Sequence, residues 1–321
     1  AEALIGAQAA DLLDALVSHS LLVVRDHGLP RFHMLVTVRD FALEQLSASG
    51  DEAEARAALH RWAVDLCSQI RFPVDAGDFG DARHPEARRH DRLFRQVSHD
   101  EAVILQQLDR LLAQADGHGT DRLPAELRDA ICLIGAALMR LWSVTWSYER
   151  IADYGARLIA PAVQPARDSR GNEAGLSVLA LCVTLFGLLS HVPAQVRSLL
   201  PASFDGEGPF SRVRRFLRAS DEQWPELTGD ADPWVAWAAT RCLAAQQEDD
   251  GDPQASLETI EALLGRLHGH DLAGIHLLEL HLHRLQVLMS LGRYSQVVDA
   301  CSRAQVLLER VLPSWGEFFR T

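Results

Sequence analysis

The sequence predicts an all-α chain of helical-hairpin repeats, with one small β-hairpin unit at its N-terminal end. Three observations carry this. Apolar residues recur at helical spacing through most of the 321 residues. Only one short stretch, near residues 21–35, reads as paired strands. Two turn glycines, Gly251 and Gly292, stand about 41 residues apart, near the period of stacked helical hairpins.

The composition fits. Hydrophobic residues make up 48% and charged residues 23%, and 321 residues allow two or three domains with a sizeable core. The net charge of −13 disfavours direct binding to a phosphate backbone. Every basic side chain apart from histidine is arginine, and Asn172 is the sole asparagine, which points to a GC-rich source genome. Without lysine there is no Schiff-base or P-loop lysine. Cys67, Cys132, Cys182, Cys242 and Cys301 form no CxxC pair, and each sits in an apolar helical context. Buried, reduced thiols and a cytoplasmic location are expected. The most apolar run, Leu176–Leu189, is too short to span a bilayer, so no membrane association is expected. The chain begins at Ala1 in mid-pattern, which reads as a fragment.

The elements follow in order. Leu12, Leu13, Leu16 and Val17 predict a helix over about 9–19. Leu21–Arg25 and Arg31–Leu35 read as strands, with turn chemistry in Asp26-His27-Gly28-Leu29-Pro30. Thr37 is placed to cap a helix whose face carries Val38, Phe41, Ala42 and Leu46. Helix, hairpin, helix is the closing half of a winged-helix fold, assigned to residues 1–50. Residues 51–120 read as a helical linker region, with helices near 52–71 and 100–115 around a loop at 73–85. Residues 121–232 read as degenerate helical repeats, with helices near 124–146, 148–159 and 173–190. Residues 233–321 give the clearest hairpins, with helices near 234–247, 253–267, 272–291 and 295–312. In the second helix of each pair, Leu257, Ile260, Leu264 and Leu267 parallel Val297, Cys301, Ala304 and Leu308.

Gly292-x-Tyr294-x-x-Val297-x-x-x-Cys301-x-x-Ala304 resembles the second half of a tetratricopeptide (TPR) repeat. There glycine lets the chain turn and small residues let helices approach. Bulky Leu285, where the repeat prefers a small residue, and a period above 34 mark this copy as degenerate. The segments Leu12–Leu22 and Arg31–Ala42 resemble the end of the winged helix in large actinobacterial STAND-type regulators. These comprise the Streptomyces antibiotic regulatory proteins and related large LuxR-type activators. Asp232-Pro233-Trp234, opening the terminal repeats, is similar to the same family. The resemblance covers both ends of the chain and the middle only loosely. It implies a DNA-binding domain and an ATP- or ADP-binding NTPase preceding these residues, with the repeats as the sensing and partner-binding end. It implies no cofactor within these residues, and DNA contact only through the other domains. Where the family carries glutamate this chain has Val36, so neither Leu35 nor Val36 can titrate in response to nucleotide.

Candidate chemistry is sparse. No GxxxxGK[ST] motif is present, and no GxGxxG follows a strand. Arg31 and His33 are the candidates to approach a nucleotide held by a neighbouring domain. His276, Glu279, His283 and Gln286 share one helix face and are the candidates to line a partner or ligand groove. His and Glu also suggest a metal-dependent enzyme, but there is no HExxH, and His276 and His283 lie about 10 Å apart along the axis. A solvated polar stripe opposite Ile275, Leu278, Leu282, Leu285 and Met289 is the plainer reading. Arg88, Arg89, Arg92 and Arg95, in the most basic stretch (83–95), are candidates for contact with an anion or an acidic partner, or else a solvated helix face. A smaller cluster, Arg212, Arg214, Arg215 and Arg218, reads as solvated surface. Trp142, Trp146 and Tyr148 suggest packing between hairpins, with a small-molecule pocket as the alternative. No catalytic residue and no metal ligand is assigned.

The expectation is therefore the C-terminal sensor and interaction region of a cytoplasmic transcriptional regulator, binding a protein partner or a small effector. A stand-alone oligomerising scaffold and, less favoured, a metal-dependent enzyme using the His276 face are the alternatives.

Overall fold

A computed structural model describes residues 6–26, 30–70, 85–118, 122–145, 147–164, 174–175, 177–179, 215–216, 218–267 and 274–311. It is an all-α fold of helical hairpins with, among the described residues, one two-stranded antiparallel sheet. No helix among the described residues is long and apolar enough to cross a membrane. The chain divides into two compact units, Ala1–Asp65 and Leu66–Thr321.

In the first unit a 3-10 turn (Gly6–Gln8) leads into α1 (Ala9–Ser18). Strands β1 (Leu22–Asp26) and β2 (Pro30–Met34) pair antiparallel, with Val24 opposite Phe32 and Val23 opposite His33. Both strands are shifted by one residue from the sequence expectation. Helix α2 (Val36–Ser49) starts with extended Leu35 at its N-cap and no side-chain cap. Thr37 therefore falls inside the first turn and does not cap it. Phe41, on the expected core face of α2, is exposed, and none of the residues of α2 is buried. Helix α3 (Glu52–Ser68) ends three residues short of the expected 71.

The basic stretch belongs to a helix of its own, α4 (Pro85–His99), followed by α5 (Glu101–Asp116). Helices α6 (Ala125–Val144) and α7 (Tyr148–Val163) form a hairpin. Of the apolar helix expected at 173–190, residues 174–175 and 177–179 are helical and the remainder lies outside the described residues. A 3-10 turn (Asp221–Gln223) and short α8 (Trp224–Leu227) precede the terminal repeats. These are α9 (Pro233–Asp249), α10 (Pro253–Arg266), α11 (Gly274–Ser290) and α12 (Tyr294–Val311), each packed on the next.

Local chemistry fixes where these repeats start and stop. Asp232 accepts hydrogen bonds from the backbone N–H groups of Trp234 and Val235, and Asp252 from that of Ala255. In both, proline occupies the first helical position, where no N–H is needed. Gly251 and Gly292 end their helices at φ +83° and +68°. The N–H of the next residue reaches back five positions, Asp252 to Gln247 at 2.8 Å and Arg293 to Leu288 at 3.0 Å. This left-handed termination favours glycine, because a Cβ crowds the backbone there.

The core of the second unit centres on α6, which is buried nearly all round from Ile131 to Trp142. A Cβ at Gly135 would come within 2.7 Å of Leu158, so glycine permits the close approach of α6 and α7. In α10 the buried face runs Ser256, Leu257, Ile260, Leu263, and in α12 it runs Ala300, Ala304, Leu308. The expected register through Leu264 and Cys301 is thus off by one at those positions. Cys301 is exposed, whereas Cys67, Cys132 and Cys242 are buried as expected. Burial pushes the Cys67 and Cys132 thiols up to about 12, which leaves them unreactive. Cys182 lies outside the described residues.

Candidate functional site

Helix α11 carries the candidate stripe, and the structure turns three of its four members inward. His276, Glu279 and His283 are buried, and only Gln286 is exposed. The solvated polar stripe expected for this face is corrected for those three. The reason is a set of partners on helices far away in sequence.

Glu279 is the centre. Its carboxylate accepts a hydrogen bond from Arg140 Nη1 of α6 at 2.8 Å and lies 3.4 Å from Ser143 Oγ. His276 Nδ1 is 3.3 Å from its other oxygen. Arg241 of α9 donates Nη1 to the Glu279 carbonyl oxygen at 3.1 Å. Burial alone would raise the Glu279 carboxyl, but Arg140, His276 and Arg241 outweigh it and hold it near 2. The Trp237 ring of α9 covers His276 with centroids 4.0 Å apart. One turn along α11, His283 Nε2 meets Glu248 Oε1 at 2.6 Å, and Ser256 Oγ donates to the same oxygen at 3.3 Å. Burial lowers the His283 pKa, against the opposing pull of Glu248.

Several donors at this junction lack acceptors. Arg140 Nη2, Trp237 Nε1, Thr240 Oγ1 and Arg241 Nε are buried without a hydrogen-bond partner, and so is His283 Nδ1. A metal ion does not suit the arrangement. Glu279 is already held between cations, and the two histidines face different carboxylates. Among the described residues no group of three or more His, Cys, Asp or Glu is placed to hold a metal.

At the other end of α6, Arg128 forms a saturated counterpart. It donates Nε to the Pro161 carbonyl at 3.1 Å, Nη2 to the Ala162 carbonyl at 3.0 Å and Nη1 to Asp129 at 2.9 Å. It ties the last turn of α7 to α6 and satisfies carbonyls that the helix end leaves open.

The remaining candidates are dispersed. On α4, Arg89 and Arg92 are exposed, and Arg89 donates to Gln69 at 3.3 Å. Arg95 is half-buried and pairs with buried Asp91 at 3.5 Å. Arg88 lies on the same helix, but its side chain is outside the described residues. In the first unit His33 is exposed on β2. Arg31 faces Arg25 across the ladder, and its side chain is outside the description. Of the second arginine cluster, Arg215 pairs with Asp230, and Arg212 and Arg214 are not described. Trp142 packs at a ring distance of 5.2 Å from Tyr154 and donates Nε1 to Glu101 at 2.6 Å. Trp146 and the side chain of Tyr148 lie outside the described residues.

Sequence reading missed Arg140, Arg241 and Trp237. A signal was present: Arg140 interrupts Ala136-Ala137-Leu138-Met139 and Leu141-Trp142, and Arg241 follows an equally apolar stretch of α9. A charge embedded in an apolar helix on all sides has to be paired inside the protein. Comparison with protein-family models, with curated proteins and with solved structures returned no match.

Proposed function

We propose that this chain is the sensor and protein-interaction region of a cytoplasmic transcriptional regulator of the STAND type. Its helical repeats bind a partner or a small effector and pass the event to NTPase and DNA-binding parts elsewhere in the protein. The observation that carries the reading is the order of units. A helix–hairpin–helix unit is followed by helical hairpins closed by left-handed glycines at Gly251 and Gly292. Repeats of this kind present extended surfaces and change curvature through small shifts between neighbours. The Arg140–Glu279 pair supports a sensing role, because it couples the α6 hairpin to the terminal repeats.

Translation of the coding DNA upstream of Ala1 tests the reading. An in-frame P-loop and a DNA-binding domain are expected. A start codon close to Ala1 would sink it in favour of a free-standing scaffold. That second reading has one observation in its favour. Tyr294, Val298 and Val306 form an exposed apolar stripe along α12, suited to contact between copies. Light scattering at high concentration separates the two, since a scaffold of this kind must self-associate.

A further inference from the structure

We infer that the junction of α6, α9 and α11 is a binding site for a small oxyanion, a carboxylate or phosphate group. The inference rests on the proposed sensing role and gives it a ligand class.

The argument begins with the count of donors and acceptors. Two buried guanidiniums, Arg140 and Arg241, lie beside one buried carboxylate, that of Glu279: Arg140 donates to it, and Arg241 donates to the backbone carbonyl of the same residue. The positive charge of Arg241 bears on Arg140, on top of the dominant cost of burying it. Glu248, the other carboxylate, is partly exposed and is engaged by His283 and Ser256. Around Glu279 the groups without a partner include three that can only donate: Arg140 Nη2, Trp237 Nε1 and Arg241 Nε. Thr240 Oγ1, on the same face of α9 as Trp237, can donate as well.

A buried donor without an acceptor loses its hydration and gains nothing in return, so the arrangement is unfavourable as it stands. An oxyanion answers both deficits together, bringing several acceptor lone pairs and one negative charge to the guanidinium pair. His283 adds a detail. With Nε2 facing the Glu248 carboxylate, the neutral ring keeps its proton there, and Nδ1 is left as an acceptor. A hydroxyl on the anion, as in a hydroxy acid or hydrogen phosphate, would satisfy it. The site is closed to solvent, so capture requires α6 to part from α9 and α11. Occupancy is thereby tied to how the hairpins sit on one another.

The experiment is a thermal-shift and calorimetric titration of the 321-residue chain, with long equilibration at constant ionic strength. Phosphate, sulfate, and a series of small mono- and dicarboxylates with and without a hydroxyl are the probes, and chloride is the reference. A saturable rise in Tm with at least one oxyanion, and none with chloride, is expected. The double variant Trp237→Phe/Thr240→Val removes two donors, the second at nearly constant side-chain shape, and Thr240→Val alone serves as the conservative control. The double variant should weaken that binding about tenfold or more. No oxyanion response in the parent chain overturns the site. So does a response undiminished in the double variant, which places the ion elsewhere, for example on the α4 arginines. The same double variant in the full-length regulator separates the two levels. Oxyanion binding that leaves transcription unchanged removes the sensing role and keeps the site. An intact transcriptional response with no oxyanion binding does the reverse.

Discussion

The two ends of α6 each bury an arginine, and they treat it differently. Arg128 has every nitrogen engaged, by two carbonyls of α7 and by Asp129. Arg140 gives one nitrogen to Glu279 and leaves Nη2 without a partner. A buried guanidinium is tolerated only when its donors are met. The first end is therefore finished as structure, and the second is finished only when something else arrives. Helix, residue type and burial are nearly the same, so the difference lies in the neighbours.

The largest effect should come from breaking the finished end. Arg128→Met leaves the Pro161 and Ala162 carbonyls and Asp129 without their donor. We expect a loss of about 3–5 kcal/mol in chemical denaturation, with no recovery on adding oxyanions.

Acid should act next, and mainly on the other end. The Glu279 carboxyl is held near 2, below its ordinary value of 4.5. The unfolded chain therefore takes up this proton first, and the stabilisation, present above about pH 4.5, is lost as pH falls toward 2. The shift corresponds to roughly 3 kcal/mol. Half-buried His281 and buried His283 are bases with lowered pKa values, His281 to about 4. Stability from keeping His281 neutral is present above pH 6.5 and is lost as pH falls through about 4, and His283 acts in the same direction. Thermal melts from pH 7 to 2 should show one decline between pH 6.5 and 4 and a further one below pH 4.5. A flat profile to pH 3 would contradict the buried placement of Glu279.

A smaller loss is expected from Gly175→Ala, whose new methyl would lie 2.2 Å from Arg128 Nη2 and 3.0 Å from the Ala162 carbonyl. Displacing that guanidinium should cost about 1–3 kcal/mol, read as a lower denaturant midpoint. The smallest effect sharpens the contrast. Thr240→Val deletes a hydroxyl that has no partner, so without ligand it should be neutral or stabilise by up to about 1 kcal/mol. A clear destabilisation would mean that the hydroxyl is already satisfied.

Much of the fold was legible because its signals are local. Asp-Pro pairs mark the starts of α9 and α10, glycines mark the ends of α9 and α11, and apolar spacing finds the helices between them. Registers were harder. Cys301 and Ala300 are adjacent and both small and apolar, so spacing alone did not choose which faces inward. The strand ends moved by one residue for a similar reason, since Leu21 and Leu22 are alike. The junction at Glu279 was legible only by half. Its members on α11 stood out as a stripe, but the stripe's direction depends on Arg140, 139 residues away in sequence. Helical periodicity carries no information about a contact of that kind. It shows that a face is polar, not whether water or another helix meets it.

The terminal helices mostly touch their immediate neighbours, so a pull on α12 should open the tail in steps, last helix first. The Arg140–Glu279 pair breaks that sequence, because it fastens α11 to a helix well outside the row. It acts as a rivet near the middle of the tail. Strain entering from the C-terminal side would peel α12 away and stop at α11. Strain that drives out Glu279 would undo this tie between the tail and α6.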